Sequence, residues 1–294
     1  MKIALPALVA ALVAPSVVFA QDPPRAPAPG PDAPATVVVP RFTVLFADVS
    51  GRVESDEASF PAPILQGTSI HYDSDLNVDD GVPAWIAEIV AFRRLGDRYD
   101  ELGSLSWLEA NYDGSSTFDE TQFFNGRTFT AGTQVESKVR YRSWGIDYAV
   151  VSGDMPMQNT SGSFRLGARY TDLRIQMEGG GQETDERLRL FYFGGGLRGE
   201  AHWGGWLTGL IQGSVYFSFG GYDDYWDLEY EEWGGTIFEG NVGVSASLGT
   251  LLLEGGWRYL SNSSYSKTDS TEKFEDNDFT LELSGPYASV SIRF

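Results

Sequence analysis

From Leu207 to Phe219 the chain alternates residue by residue. Leu207, Gly209, Ile211, Gly213, Val215, Phe217 and Phe219 fall on one face, and Thr208, Gln212, Ser214, Tyr216 and Ser218 on the other. The next two segments repeat the rhythm. Phe238, Val242, Val244, Ala246 and Leu248 oppose Glu239, Asn241, Ser245 and Ser247, then Leu251, Leu253, Trp257 and Tyr259 oppose Glu254 and Arg258. The chain ends on the same period in Ala288-Ser289-Val290-Ser291-Ile292-Arg293-Phe294. A period of two marks an extended strand with one apolar and one polar face. Around 135–151 the apolar positions change phase near Ser143, where Val139 and Tyr141 give way to Trp144, Ile146, Tyr148 and Val150. That change predicts a β-bulge.

Ten segments can be read as strands, centred on 41–53, 84–95, 100–112, 135–151, 163–177, 187–201, 206–219, 237–248, 251–260 and 281–294. Their cores of about 9 to 12 residues match the length a tilted strand needs to cross a bilayer. Taken backwards from the C-terminus, the connections alternate between long (261–280, 220–236, 113–134, 54–83) and shorter (249–250, 202–205, 152–162, 96–99), with a Gly-rich polar stretch at 178–186. Long loops on one side and short turns on the other are the rule of a membrane barrel. The expected fold is therefore all-β, a closed antiparallel transmembrane β-barrel of about ten strands over 41–294. Eight strands follow if the first segment is peripheral, and twelve if 64–76 adds a hairpin. An even count puts both termini on one side.

The N-terminal region has a different character. Met1-Lys2, an apolar run from Ile3 to Phe19 and small residues ending at Ala20 predict a secretory signal peptide over 1–20. Residues 21–40 hold seven prolines and predict an extended leader. No later stretch is apolar for long enough to form a membrane helix, so any spanning falls to strands. The 34 Gly, 8 Trp, 14 Tyr and 18 Phe suit β-structure with aromatic girdles, and the absence of cysteine excludes disulfides and thiol chemistry. A net charge of −20 argues against a nucleic-acid partner, which would require a basic footprint.

The terminal strand carries a resemblance. An alternating run ending in Phe294, with Ile292 and Val290 on the same face, resembles the C-terminal signature of bacterial outer-membrane β-barrel proteins. The resemblance implies insertion by the barrel-assembly machinery, contact with outer-membrane lipids and lipopolysaccharide, and periplasmic termini. It names no solute. The expected role is a porin-like or structural barrel, not an enzyme, with room for small solutes in a narrow lumen.

Charge supplies the candidate residues. Glu136, Lys138, Arg140 and Arg142 in the fourth segment, Arg165 and Arg169 in the fifth, Arg187, Arg189, Arg198 and Glu200 in the sixth, then Glu239, Glu254, Arg258 and Arg293, are expected to point inward. There they would pair and largely fill a narrow bore. Asp223, Asp224, Trp226, Asp227, Glu229, Glu231 and Glu232 form an acidic, aromatic stretch expected as an external loop, and a surface-binding, adhesin-like role is the alternative function. Asp73, Asp75, Asn77 and Asp79 alternate as calcium ligands do, but the EF-hand pattern fails at Val78 and Ala84, and a solvated loop is the simpler reading. No other cofactor is indicated. A hydrolase is the least favoured class. The two histidines, His71 and His202, fall at opposite ends, and neither the Asp-x-His of omptin-like proteases nor the His-x-Ser of lipid A deacylases is present.

Overall fold

The computed structural model describes residues 36–59, 66–79, 82–95, 98–154, 159–204, 206–224, 229–269 and 273–292. The predicted signal peptide and leader, apart from Thr36–Pro40, lie outside these, as do Arg293 and Phe294. Among the described residues fourteen strands run in chain order: β1 Thr36–Phe46, β2 Asp48–Ser59, β3 Gln66–His71, β4 Pro83–Leu95, β5 Arg98–Thr117, β6 Gln122–Phe124, β7 Arg127–Phe129, β8 Gln134–Asp154, β9 Thr160–Gly179, β10 Gln182–Trp203, β11 Leu207–Asp224, β12 Glu229–Leu248, β13 Leu251–Asp269 and β14 Lys273–Ile292.

Ten of these close a ring in the order β1-β4-β5-β8-β9-β10-β11-β12-β13-β14. The last strand returns to the first through Arg41↔Ser291 to Leu45↔Tyr287. Every pair is antiparallel, and β1 begins at the end where β14 finishes. That end is called lower below. The first predicted segment is two strands: β1 hands over to β2 at Ala47, and β14 pairs with both, one above the other. At the handover Gly285 faces the carbonyl oxygen of Phe46 so closely that a Cβ would lie 1.9 Å from it, a contact only glycine permits. The barrel also starts earlier than expected, because Thr36–Pro40 pairs with β4 from Thr36↔Arg93 to Pro40↔Ile89. In place of the alternative hairpin over 64–76 there is one strand, β3, which pairs with β2 outside the ring.

The strands are taller than predicted. β8 to β14 run 18 to 22 residues each, so 220–236 and 261–280 are paired backbone rather than loops, up to Asp224↔Glu229 and Asp269↔Phe274. The stretch 178–186 shrinks to the turn Gly180-Gly181, with φ of 58° and 77°. Two successive positive φ values make the hairpin turn that matches strand twist.

This height divides the molecule into two storeys. In the lower, apolar side chains face outward: Trp144, Ile146 and Tyr148 on β8, Phe164 and Leu166 on β9, Phe191, Phe193 and Leu197 on β10, Trp257 on β13 and Val290 on β14 are all exposed. In the upper storey the facing of apolar residues inverts. Val135, Val139 and Tyr141 of β8, Leu173, Ile175 and Met177 of β9, Leu108 and Tyr112 of β5 and Phe279, Leu281 and Leu283 of β14 point inward into one buried cluster. Burial of each such large side chain contributes about 1.5–3 kcal/mol.

The change of phase at Ser143 is therefore not a bulge. The β5–β8 register runs unbroken through Leu108↔Ser143 and Trp107↔Trp144, and the irregularity on β8 comes later, between Ala149 and Val151. Side chains keep strict alternation across Ser143 while the medium they meet changes. The upper wall between β3 and β5 is completed by residues 72–79, tied by Val78↔Gly114, by Asp79 N donating to Asp113 O (3.0 Å) and by Tyr72 N donating to Gly51 O (3.0 Å). Tyr72, Leu76 and Val78 of that segment enter the core, together with Phe118, Phe124 and Phe129 from the β5–β8 connection.

Candidate functional site

The lower lumen is the most densely charged part of the interior. Alternation on β9 and β10 that puts Phe164, Leu166, Phe193 and Leu197 outside puts Arg165, Arg169 and Arg198 inside. Inward glycines at 145, 167, 196 and 243 leave space for these long side chains. A Cβ on Gly167 would lie 2.2 Å from Asp147 Oδ1, and one on Gly145 2.8 Å from an Arg169 guanidinium nitrogen.

Arg169, only 4% exposed, is the centre of one network. It donates through Nη1 and Nη2 to Asp147 (3.1 and 2.9 Å), through Nε and Nη2 to Glu239 (2.8 and 3.0 Å), and to Tyr216 Oη (2.6 Å). The guanidinium carbon also stands 4.3 Å from the Tyr216 ring centre. Glu101 is the centre of a second. Arg165 reaches it at 2.6 Å, Arg198 at 3.2 Å and Arg41 at 3.9 Å, while Arg41 also meets Glu88 at 3.6 Å. Glu254 accepts from Tyr287 Oη at 2.9 Å.

Five arginines (41, 165, 169, 198, 258) face five carboxylates (Glu88, Glu101, Asp147, Glu239, Glu254) around a cavity of about 40 Å³. That is space for a few waters. The lining of the cavity has no positive excess, so it offers no field to prefer an anion. Pairing on this scale offsets the desolvation of the charges and fixes the interior in one arrangement. Directly above it stands the apolar core.

No protein-family profile and no curated protein sequence matches the chain. Among solved structures, it is similar to the outer membrane protease OmpT from Escherichia coli, at 10% identity over 90% of this chain and 98% of that one, with a TM-score of 0.40. It is also similar to the P. putida toluene transporter TodX (8% identity, 90% and 91% covered, TM-score 0.27) and to a Pseudomonas aeruginosa FadL homologue (8%, 88% and 90%, 0.21). These neighbours are outer-membrane barrels of different activities. Likeness this distant carries no residue roles across.

Of the residues expected to line the bore, Arg165, Arg169, Arg198, Glu239, Glu254 and Arg258 do so. Glu200 also points inward, lower down, where it meets Arg198 at 2.7 Å. Glu136, Lys138, Arg140, Arg142, Arg187 and Arg189 do not: they stand on the outer wall of the upper storey, opposite the buried Val139, Tyr141 and Leu190. The expectation failed because it assigned the apolar face of β8 and β10 to the outside along their whole length. Arg293 lies outside the described residues. Arg41, Glu88, Glu101 and Asp147 were missed. Asp147 was legible, since it sits between the outward Ile146 and Tyr148, whereas Arg41 was hidden by the proline-rich run that adjoins it.

On that outer wall the charges pair across strands. Arg142 donates to Glu109 (2.8 Å), Arg140 Nε to Asn111 Oδ1 (2.9 Å), Arg187 Nε to Asp172 (2.7 Å) and Arg174 Nε to Asp185 (2.6 Å). These groups lie above the apolar belt. The Arg187 hydrogen bond holds the Asp172 carboxyl below its ordinary pKa, and Arg174 does the same for Asp185.

The histidines are both engaged. His71, half exposed at the end of β3, meets Asp75 through Nδ1 at 3.3 Å, and its backbone N–H donates to the same carboxylate at 2.8 Å. His202 lies near the end of β10. It points inward at the lower mouth, with Ser161 Oγ 3.2 Å from Nε2 and Thr208 Oγ1 3.1 Å from Nδ1. Ser161 is buried, so the trio ties β9, β10 and β11 together beneath the lumen. In the candidate calcium segment, Asp73 and Asp79 are exposed while Leu76 and Val78 turn into the core, and Asn77 donates to Ser115 O (3.4 Å). No three His, Asp or Glu side chains converge among the described residues. In the acidic stretch, Asp223, Asp224, Glu229, Glu231 and Glu232 belong to the β11–β12 ladder, and Trp226 and Asp227 lie outside the described residues.

Proposed function

We propose that this protein is a non-conducting barrel of the bacterial outer membrane whose working surface is its tall upper storey and outer wall rather than its bore. The membrane location is supported by the apolar belt of the lower storey, which includes aromatic pairs such as Phe42–Trp85, Trp107–Trp144, Tyr170–Phe191 and Phe238–Tyr259. Both termini then face the periplasm and the upper storey faces outward from the cell.

One observation carries the non-conducting reading. A charge-paired ionic network with about 40 Å³ of free space is stacked beneath an apolar core spanning β2, β5, β8, β9 and β14. A solute on the axis would have to break the first and dissolve in the second. Of the porin-like and structural alternatives, the interior supports the structural one, and a surface-binding role remains compatible with it.

The test is planar-bilayer recording on the refolded chain, with insertion verified by heat-modifiable gel mobility. Inserted protein is expected to give no discrete conductance steps. Reproducible unitary steps from folded protein would overturn the proposal.

A further inference from the structure

The ring is not zipped to its full height. Between β10 and β11 the ladder ends at Phe193↔Phe217, yet β10 continues upward over 182–192 on β9, and β11 over 218–224 on β12. The flanking pairs stay laddered to their turns, at Gln182↔Gly179 and Asp224↔Glu229. A seam is left between two strand edges, starting at the top of the apolar belt.

The departure of β11 has a local cause. Ser218, Phe219, Gly220 and Gly221 face Gly235, Gly234, Trp233 and Glu232, so glycines crowd both arms of the hairpin where it leaves β10. Glycine inside a strand marks a bend or a close approach. A β-carbon on Gly220 would lie 2.5 Å from the Trp233 indole, which crosses β11 there. Trp233 and Leu188, both partly buried, pack against Leu190, Tyr192, Tyr216 and Ile237 and give the seam an apolar floor. Its lips are Phe191 and Phe219, 64% and 87% exposed, the latter more than any other large apolar side chain among the described residues.

The seam itself is lined by backbone. In an antiparallel ladder alternate residues turn their N–H and C=O away from the partner strand. The Asp185 carbonyl accepts from Asn125 Nδ2 at 3.3 Å, which sets the phase on β10 as Glu183, Asp185, Arg187, Arg189 and Phe191. Among the described residues no strand pairs with this edge. Charged side chains commonly guard an open edge. Here they are turned onto β9, Arg187 Nε donating to Asp172 (2.7 Å) and Arg174 Nε to Asp185 (2.6 Å). The facing lip, Ser218 to Gly221, carries no charge. A lipid chain would leave these donors and acceptors unsatisfied, whereas an extended polypeptide satisfies them in register.

We propose that the seam is a strand-addition site, at which an extended, proline-free segment of a partner protein pairs with the 183–191 edge of β10 and lays alternate apolar side chains on Leu188 and Trp233. This deepens the reading of the upper storey as the working surface.

The experiment uses the full chain refolded into phosphatidylcholine nanodiscs, with NMR-resolved amide exchange as readout. The probe is a synthetic heptapeptide alternating threonine and valine. Its control is the same peptide N-methylated at every threonine, the residues whose N–H groups would face β10 when valine points inward. Without peptide, the amides of Arg187, Arg189 and Phe191 should exchange on the order of tenfold faster than those of Leu188 and Leu190. Millimolar peptide should bring the two sets together, and the methylated control should not. Trp233→Ala should raise the Kd for the peptide on the order of tenfold, with gel mobility verifying the fold. Equal, slow exchange of both sets without peptide would show an edge already covered by chain or lipid and would overturn the proposal. So would exchange unchanged by the peptide, or slowed equally by the methylated control. Bilayer conductance bears on the bore alone, so the two readings fail separately.

Discussion

Replacing Arg169 by methionine removes the single cation that joins Asp147 and Glu239. Both carboxylates are buried, and the guanidinium meets them at 2.9 and 2.8 Å. Methionine approximates the length of the side chain but supplies no donor, so two ionised groups lose their nearest partner. Breaking a buried pair by removing one member costs about 3–5 kcal/mol, because the remaining charge is desolvated without compensation. Arg258 lines the same cavity and takes up part of the demand of Glu239, which places the expectation at the lower end of that range. Urea titration of the refolded barrel in detergent, followed by tryptophan fluorescence, measures the loss. The triple variant Arg169→Met/Asp147→Asn/Glu239→Gln removes the stranded charges and should recover most of it. A single variant within about 1 kcal/mol of wild type, or a triple variant no more stable than the single, would refute the view that this network is held by charge compensation.

Ile146→Arg places a charge in the outward apolar belt and should cost about 2–4 kcal/mol in lipid. Lys138→Ile, on the same face of the same strand but in the upper storey, should change stability by no more than about 0.5 kcal/mol. Equal losses in refolding titrations of the two would show that the belt has been placed wrongly. Asp278 stands opposite Glu54 on the outer face of β14, and burial, with Asp276 and Glu54 nearby, raises its pKa. A carboxyl whose folded pKa exceeds its unfolded value adds stability at low pH and loses it as pH rises through the folded value. Amide exchange in the upper part of β14 should therefore slow as pH falls from neutral into the carboxylate range, once corrected for intrinsic rate. Asp278→Asn should stabilise this region at neutral pH by a few tenths to about 1 kcal/mol, and flatten the dependence. A variant with an unchanged slope would assign the effect elsewhere.

The parts of the fold that were legible are those where one rule holds along the visible length of a strand. β11, β12 and β13 keep apolar residues outside and polar residues inside through Phe217, Val244 and Trp257, and their facing follows directly from the residues. The upper storey obeys the opposite rule. Lys138, Arg140 and Arg142 look like lumen residues because Val139 and Tyr141 look like lipid-facing ones, and nothing local in the sequence says which side of the wall is wet. The tall hairpins were read as loops for a related reason. Glu-Ser-Asp-Glu over 54–57 is polar at every position, and only the ladder with β14 makes it a strand. Asp147 needed no more than parity. Glu101 needed the three-dimensional meeting of Arg165, Arg198 and Arg41, drawn from β9, β10 and β1.

The switch of facing near Trp144 has a consequence for assembly. While a strand is crossing a membrane, the residues destined for the upper core travel through a medium in which they have nothing to gain by clustering. The hydrophobic effect that gathers Tyr141, Leu173 and Phe279 exists only where there is water to leave. The belt can form as soon as lipid surrounds it, whereas the stopper above must wait until its strands emerge on the far side. On the proposed orientation the barrel is thus closed last, and from outside, by the portion of the chain that keeps no lasting contact with lipid.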